Sequence, residues 1–161
     1  MRERFLLRKT YRFFARLGAM PQEEREAFIK RLKANPGHAS KIGETFAVWL
    51  DRLDDEEKAE LLARVFELYA RGEIDFDRSA RFAAVIERAH LPYLLHLRKD
   101  GYNLYRDDVK SHLLALGLVR MTAHQKDVER ERKLDRSPRG DIDLVKMELN
   151  EDGRIFQSLV L

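Results

Sequence analysis

The chain has 161 residues, 44% hydrophobic and 37% charged, with a formal net charge of +3 and no cysteine. That length suffices for one domain, or one domain with a helical extension, and for a core that needs no cross-links. The missing cysteine excludes disulfides, thiolate metal sites and a cysteine nucleophile. No apolar run approaches the about 20 residues of a membrane-spanning helix, and the first residues are charged where a secretory signal is apolar, so the expected location is the cytoplasm. Charge is uneven: residues 1–41 carry +7, residues 42–100 carry −4 and residues 101–161 balance.

In chain order, Arg2 to Leu17 reads as an amphipathic helix, with Leu6, Thr10, Phe13 and Leu17 on one face and Phe14 beside them. Arg8, Arg12 and Arg16 stack at i, i+4 on another face, where like charges repel, so the stripe calls for a negative partner. Gly18 to Pro21 ends this helix, and Pro21 suits the first position of the next. The second helix has Glu23 and Glu24 in its first turn and Arg31 and Lys33 in its last, matching the helix dipole. Asn35-Pro36-Gly37 stops it. A third helix is expected after Ser40, with Ile42, Phe46, Trp49, Leu50 and Leu53 on one side.

Asp54, three residues before Glu57, resembles a capping box for a fourth helix. That helix carries Leu61, Leu62, Val65, Phe66 and Tyr69, and Gly72 stops it. Asp75 or Asp77 opens a fifth helix with Phe82, Val85, Ile86 and Ala89 inward. Pro92 allows a short sixth helix, and Asn103 to Arg106 starts a seventh, with Tyr105, Val109, Leu113 and Leu116 on one face and Gly117 at its end. Leu118–Thr122 and Ile142–Leu149 have strand composition, separated by about twenty polar residues. Asn150 caps a last helix with Phe156 and Leu159 inward.

No glycine-rich phosphate loop or serine-hydrolase elbow is present. Gly72-Glu-Ile-Asp-Phe76 echoes a calcium loop, but Tyr69 and Arg71 fall where oxygen ligands belong and Arg78 where the bidentate glutamate belongs; it reads as a turn. The five histidines lack paired metal-ligand spacing, and Glu87-x-x-His90 occurs once where di-metal bundles need it twice. No metal, no cofactor and no enzyme activity are therefore expected.

The residues Leu116-Gly-Leu-Val119, then Asp135-Arg136, then Val145-Lys-Met-Glu-Leu-Asn-Glu-Asp-Gly-Arg154 resemble the second half of bacterial winged-helix regulators of the multiple-antibiotic-resistance repressor (MarR) type. In that family a Gly-Leu-Val closes the recognition helix, an Asp-x-Arg-like pair lies in the wing, and a Leu-Thr-x-x-Gly closes the second wing strand; here Asn150 stands for the Thr. The resemblance covers about residues 90–160. It departs from the family in a longer wing, in the absence of a long helix after Phe156 within this sequence, and in a recognition helix whose Arg106 and Lys110 are balanced by Asp107 and Asp108. Residues 49–96 also faintly resemble uncharacterised bacterial proteins, some associated with phages or mobile elements.

The resulting expectation is a mainly α chain: a helical region (1–89) for dimerisation or partner binding, then a winged-helix domain (90–161) with a two-stranded antiparallel wing. The resemblance implies a non-enzymatic DNA-binding protein, a transcriptional regulator or mobile-element or defence accessory, acting as a homodimer through its N-terminal helices. Arg106, Lys110, Ser111, Arg136 and Arg139 would contact DNA, the last two from a segment (120–140) of net +3. Arg8, Arg12 and Arg16 have three readings: pairing within the chain, which is favoured, phosphate contact, and an anionic membrane surface. The alternative for the whole chain is a protein-interaction adaptor, motivated by the neutral recognition helix and the outward Leu114.

Overall fold

The computed structural model describes residues 2–98, 107–123 and 145–160. Among these the chain is mainly helical with one small antiparallel sheet. It divides into two compact units, Met1–Leu91 and Pro92–Leu161.

The first unit holds five helices: α1 (Arg2–Gly18), α2 (Gln22–Ala34), α3 (Pro36–Arg52), α4 (Glu56–Arg71) and α5 (Phe76–Arg88). Helix α4 is its centre and packs on α1, α2 and α5. Its Ala59, Leu61, Leu62, Ala63 and Val65 are all buried, because a helix touched on several sides is apolar around most of its circumference. An aromatic cluster fills the space between α1, α2, α3 and α4. Phe46 lies 4.7 Å from Phe66 and 4.7 Å from Trp49, and Phe66 meets Phe13 at 6.0 Å and Phe28 at 5.3 Å, mostly edge to face. That geometry suits the ring quadrupoles and adds to burial worth about 1.5–3 kcal/mol per large side chain.

Three helix starts differ from the sequence expectation, the first by one residue: Pro21 is the N-cap of α2, which begins at Gln22. Helix α3 begins at Pro36, not after Ser40: the Asn35 side chain accepts from the His38 N–H at 3.2 Å and Pro36 takes the first helical positions. The Asn-Pro pair therefore starts α3 as well as stopping α2, since proline at that position forfeits only a donor that has no partner. Helix α4 is capped by Asp55, which accepts from the Glu57 N–H at 2.7 Å. Asp54 is drawn away by Lys58 Nζ at 2.6 Å. Elsewhere the punctuation holds. Gly72 adopts φ 79°, with Glu73 N–H reaching Leu68 O at 2.9 Å, and Asp75 caps α5 through the Arg78 N–H at 2.7 Å.

Two buried lysines brace this unit. Lys9 Nζ donates to Asp51 O at 2.8 Å and Leu53 O at 2.7 Å, where α3 presents unsatisfied carbonyls. Lys58 bonds Asp54 and the Glu87 carbonyl near the end of α5.

The second unit comprises α6 (Leu91–Leu94, whose first residue belongs to the preceding unit), a 3-10 turn (Leu95–Arg98), α7 (Asp107–Ala115), β1 (Val119–Ala123), β2 (Val145–Leu149) and α8 (Glu151–Val160). The strands pair antiparallel, with Val119 opposite Leu149 and Ala123 opposite Val145. Leu94, Leu97, Val109, Leu113, Leu118, Phe156 and Leu159 form its core. Gly117 ends α7 at φ 72°, and Leu118 N–H closes back on Leu113 O at 3.0 Å.

Candidate functional site

The candidate site is the outer surface of α7 and the strand pair. Its geometry is fixed where β2 turns into α8. The Asn150 side-chain oxygen accepts from Gly153 N–H at 2.8 Å, capping α8, while its amide donates to Gly117 O at 2.7 Å, and its own N–H bonds Leu118 O at 3.2 Å. One residue thus ties the end of α7, the start of β1 and the start of α8. Gly153 packs so closely there that a Cβ would overlap the Leu118 carbonyl. The Leu149-Asn-Glu-Asp-Gly153 motif has a physical basis in these contacts: a side-chain cap at its second position and no side chain at its fifth.

On α7, Lys110 is half-buried and its ammonium lies 3.6 Å from Asp107, which is fully exposed. Asp108 accepts from the Tyr93 hydroxyl at 2.9 Å, and Tyr93 packs on His112 at 5.3 Å. Ser111 is exposed and Leu114 is half-buried. Across the strands Arg120 and Glu148 sit opposite one another with 3.6 Å between charged atoms. The described outer face therefore presents two ion pairs and the further carboxylate of Asp108. Arg106, Arg136 and Arg139 lie outside the described residues.

The α1 arginines are turned toward α4. Arg8 meets Glu56 at 3.3 Å, Arg12 meets Glu56 at 3.3 Å and Glu60 at 2.7 Å, and Arg16 meets Glu67 at 3.1 Å. Both sets rise together along the chain, so α1 and α4 run side by side in the same direction. The hydrogen bond that Arg12 donates to Glu60, then the charges of Glu60 and Glu56, hold Arg12 more firmly protonated than an ordinary arginine. The negative partner that the stripe calls for is thus within the chain. The 56, 60, 67 spacing of glutamates on the apolar-striped α4 was the available signal for it.

Glu67 is nearly buried, unlike its arginine partner. Neither it nor Lys9 or Lys58 stands out in the sequence, because what they bind is set by tertiary contacts. Among the described residues no group of three or more His, Cys, Asp or Glu could hold a metal ion, and no helix is long and apolar enough to cross a membrane. Gly72-Glu-Ile-Asp-Phe76 forms the turn between α4 and α5. Comparison with protein-family models, with curated proteins and with solved structures gave no match.

Proposed function

We propose that the chain is a non-enzymatic DNA-binding protein of the cytoplasm, a transcriptional regulator or mobile-element or defence accessory, whose DNA contacts are made by the second unit in the manner of a winged helix. The observation that carries this reading is the junction at Asn150. It locks a helix, an antiparallel strand pair and a following helix in the order that a winged helix requires, on the residues that resemble the family motif. In this reading α7 lies along the duplex, with Lys110 and Ser111 beside Arg106, and the segment between the strands brings Arg136 and Arg139 to phosphate or the minor groove. Arg8, Arg12 and Arg16 already have their charge compensated by α4, so the principal phosphate contacts belong to the second unit.

A fluorescence titration of the full chain against duplex DNA tests the reading. Binding should weaken linearly with the logarithm of salt concentration, because each neutralised phosphate releases counterions. Affinity with no salt dependence, or no binding at low salt, overturns it.

A second reading, a protein-interaction adaptor built on the same unit, is favoured by one observation: α7 carries Asp107 and Asp108 against the single cation Lys110, a net −1, while Leu114 lies half-exposed. Copurification of a stoichiometric protein partner, with no nucleic acid, would select it.

A further inference from the structure

The aromatic cluster leaves a pocket of about 370 Å³ between α1 and α3. Buried Phe13 and Phe46 line it together with Phe66. Phe14, 5.5 Å from Phe13, also lines it while remaining 61% exposed. Gly43, midway along α3, lines it too, and a Cβ there would meet nothing within 4 Å. No neighbour therefore requires glycine at this position, although glycine is a poor helix former; its missing side chain adds to the pocket. Two lining side chains are polar, Thr10 and Asp51. Both lie toward one end, because Lys9, beside Thr10, donates to the Asp51 carbonyl at 2.8 Å. The hydroxyl of half-buried Thr10 makes no hydrogen bond to a described residue.

We propose that this pocket binds a small bicyclic aromatic molecule, uncharged or cationic, that carries one hydrogen-bonding group at its end. The proposal is independent of DNA binding. In the pocket the rings lie against Phe13, Phe46 and Phe66, the polar group meets the Thr10 hydroxyl, and the exposed ring of Phe14 becomes covered.

Size, polarity and charge select this occupant. Small-molecule pockets span about 300–1,000 Å³ and are lined by apolar and aromatic side chains with few polar groups. An apolar cavity of about 150 Å³ takes up benzene, so the volume here fits two fused rings. The Thr10 hydroxyl can donate or accept, and it supplies the orienting contact. Asp51 is the one charged lining residue, and its carboxylate disfavours an anion such as a fatty acid or an aryl carboxylate. Leu7 and Tyr11, the most exposed apolar side chains of α1, line no part of the pocket. Substitutions there therefore separate a ligand in the pocket from a protein laid across the helix.

N-phenyl-1-naphthylamine, an uncharged probe whose emission rises in apolar surroundings, should bind the full chain saturably, one probe per chain. Gly43→Leu and Ala47→Leu fill the pocket and should each weaken binding at least tenfold with a melting temperature no lower than the native one. Leu7→Glu and Tyr11→Glu should leave binding unchanged. In displacement of the probe, 2-naphthol should bind at least tenfold more tightly than 2-naphthoate, whose charge meets Asp51. Thr10→Val should weaken 2-naphthol about fivefold, the loss of one hydrogen bond, and leave naphthalene unaffected. No saturable binding, binding indifferent to Gly43→Leu and Ala47→Leu, loss of binding in Leu7→Glu or Tyr11→Glu, or naphthoate bound as tightly as naphthol each overturns the proposal.

Discussion

Asn150 holds Gly117. Its amide donates to the Gly117 carbonyl at 2.7 Å while its side-chain oxygen caps α8 through Gly153. The end of α7 and the start of α8 thereby share one side chain, 33 residues apart in sequence from the carbonyl it binds. Asn150→Ala should cost the second unit about 1–2 kcal/mol, the loss of a helix cap and of a bond to a carbonyl. Asn150→Thr, which keeps a capping oxygen, should recover most of it. Hydrogen exchange read by mass spectrometry on peptides 107–123 and 145–160 distinguishes the two; equal protection in all three proteins would remove the junction from the account.

Gly153→Ala should be more damaging than its size suggests, because the added methyl meets the Leu118 carbonyl backbone rather than a side chain that can move. Overpacking of this kind costs about 1–3 kcal/mol. Gly43→Ala, where a Cβ has open space, should be neutral or stabilising, since α3 gains a better helix former. Thermal unfolding of the two variants makes the comparison.

Expectations from local sequence signals met different fates, for physical reasons visible at particular residues. Gly72, Gly117, Asp75 and Asn150 are legible as caps because φ above zero and a short polar side chain are local requirements. The heptad-like apolar sets of α4 and α5 are legible because they face a core. Asp54 was not, because Lys58 competes for its carboxylate and leaves the cap to Asp55. The start of α3 was not, because Asn-Pro-Gly ends one helix and opens another with the same residues. Lys9 was least legible of all: its acceptors are carbonyls 42 and 44 residues away. The pairing of the α1 arginines with α4 follows from the tertiary fold.

The three α1 arginines should differ in importance by the burial of their partners. Arg8→Ala removes an exposed pair and should change stability by about 0–1 kcal/mol. Arg16→Ala strands Glu67, whose side chain is only 6% exposed, and should cost about 1–3 kcal/mol. Arg16→Ala combined with Glu67→Gln should recover part of the loss. Urea unfolding of the three variants orders them, and equal costs would contradict the pairing.

Acid should release the Asp54–Lys58 brace. The hydrogen bond from Lys58, more than its charge, holds the Asp54 carboxyl below its ordinary value of 3.8. A depressed folded value means that this stabilisation is complete above the unfolded value and fades as pH falls from about 3.8 through the lower folded one. From pH 5 to 8 the brace should therefore contribute a constant amount. Melting temperature against pH should fall less steeply below pH 4 for Asp54→Asn than for the native chain, and parallel acid limbs would show that the brace does not act.

The most direct measurement of the proposed function is the salt slope of DNA binding in paired variants of the full chain. With Arg136 and Arg139 both changed to Ala, the slope of log K against log salt should become shallower by about 1.8, the counterions of two phosphate contacts at about 0.9 each. With Arg8 and Arg12 both changed to Ala it should stay the same, because their charges answer to Glu56 and Glu60. A slope unchanged by the first pair and reduced by the second would contradict the placement of DNA on the second unit.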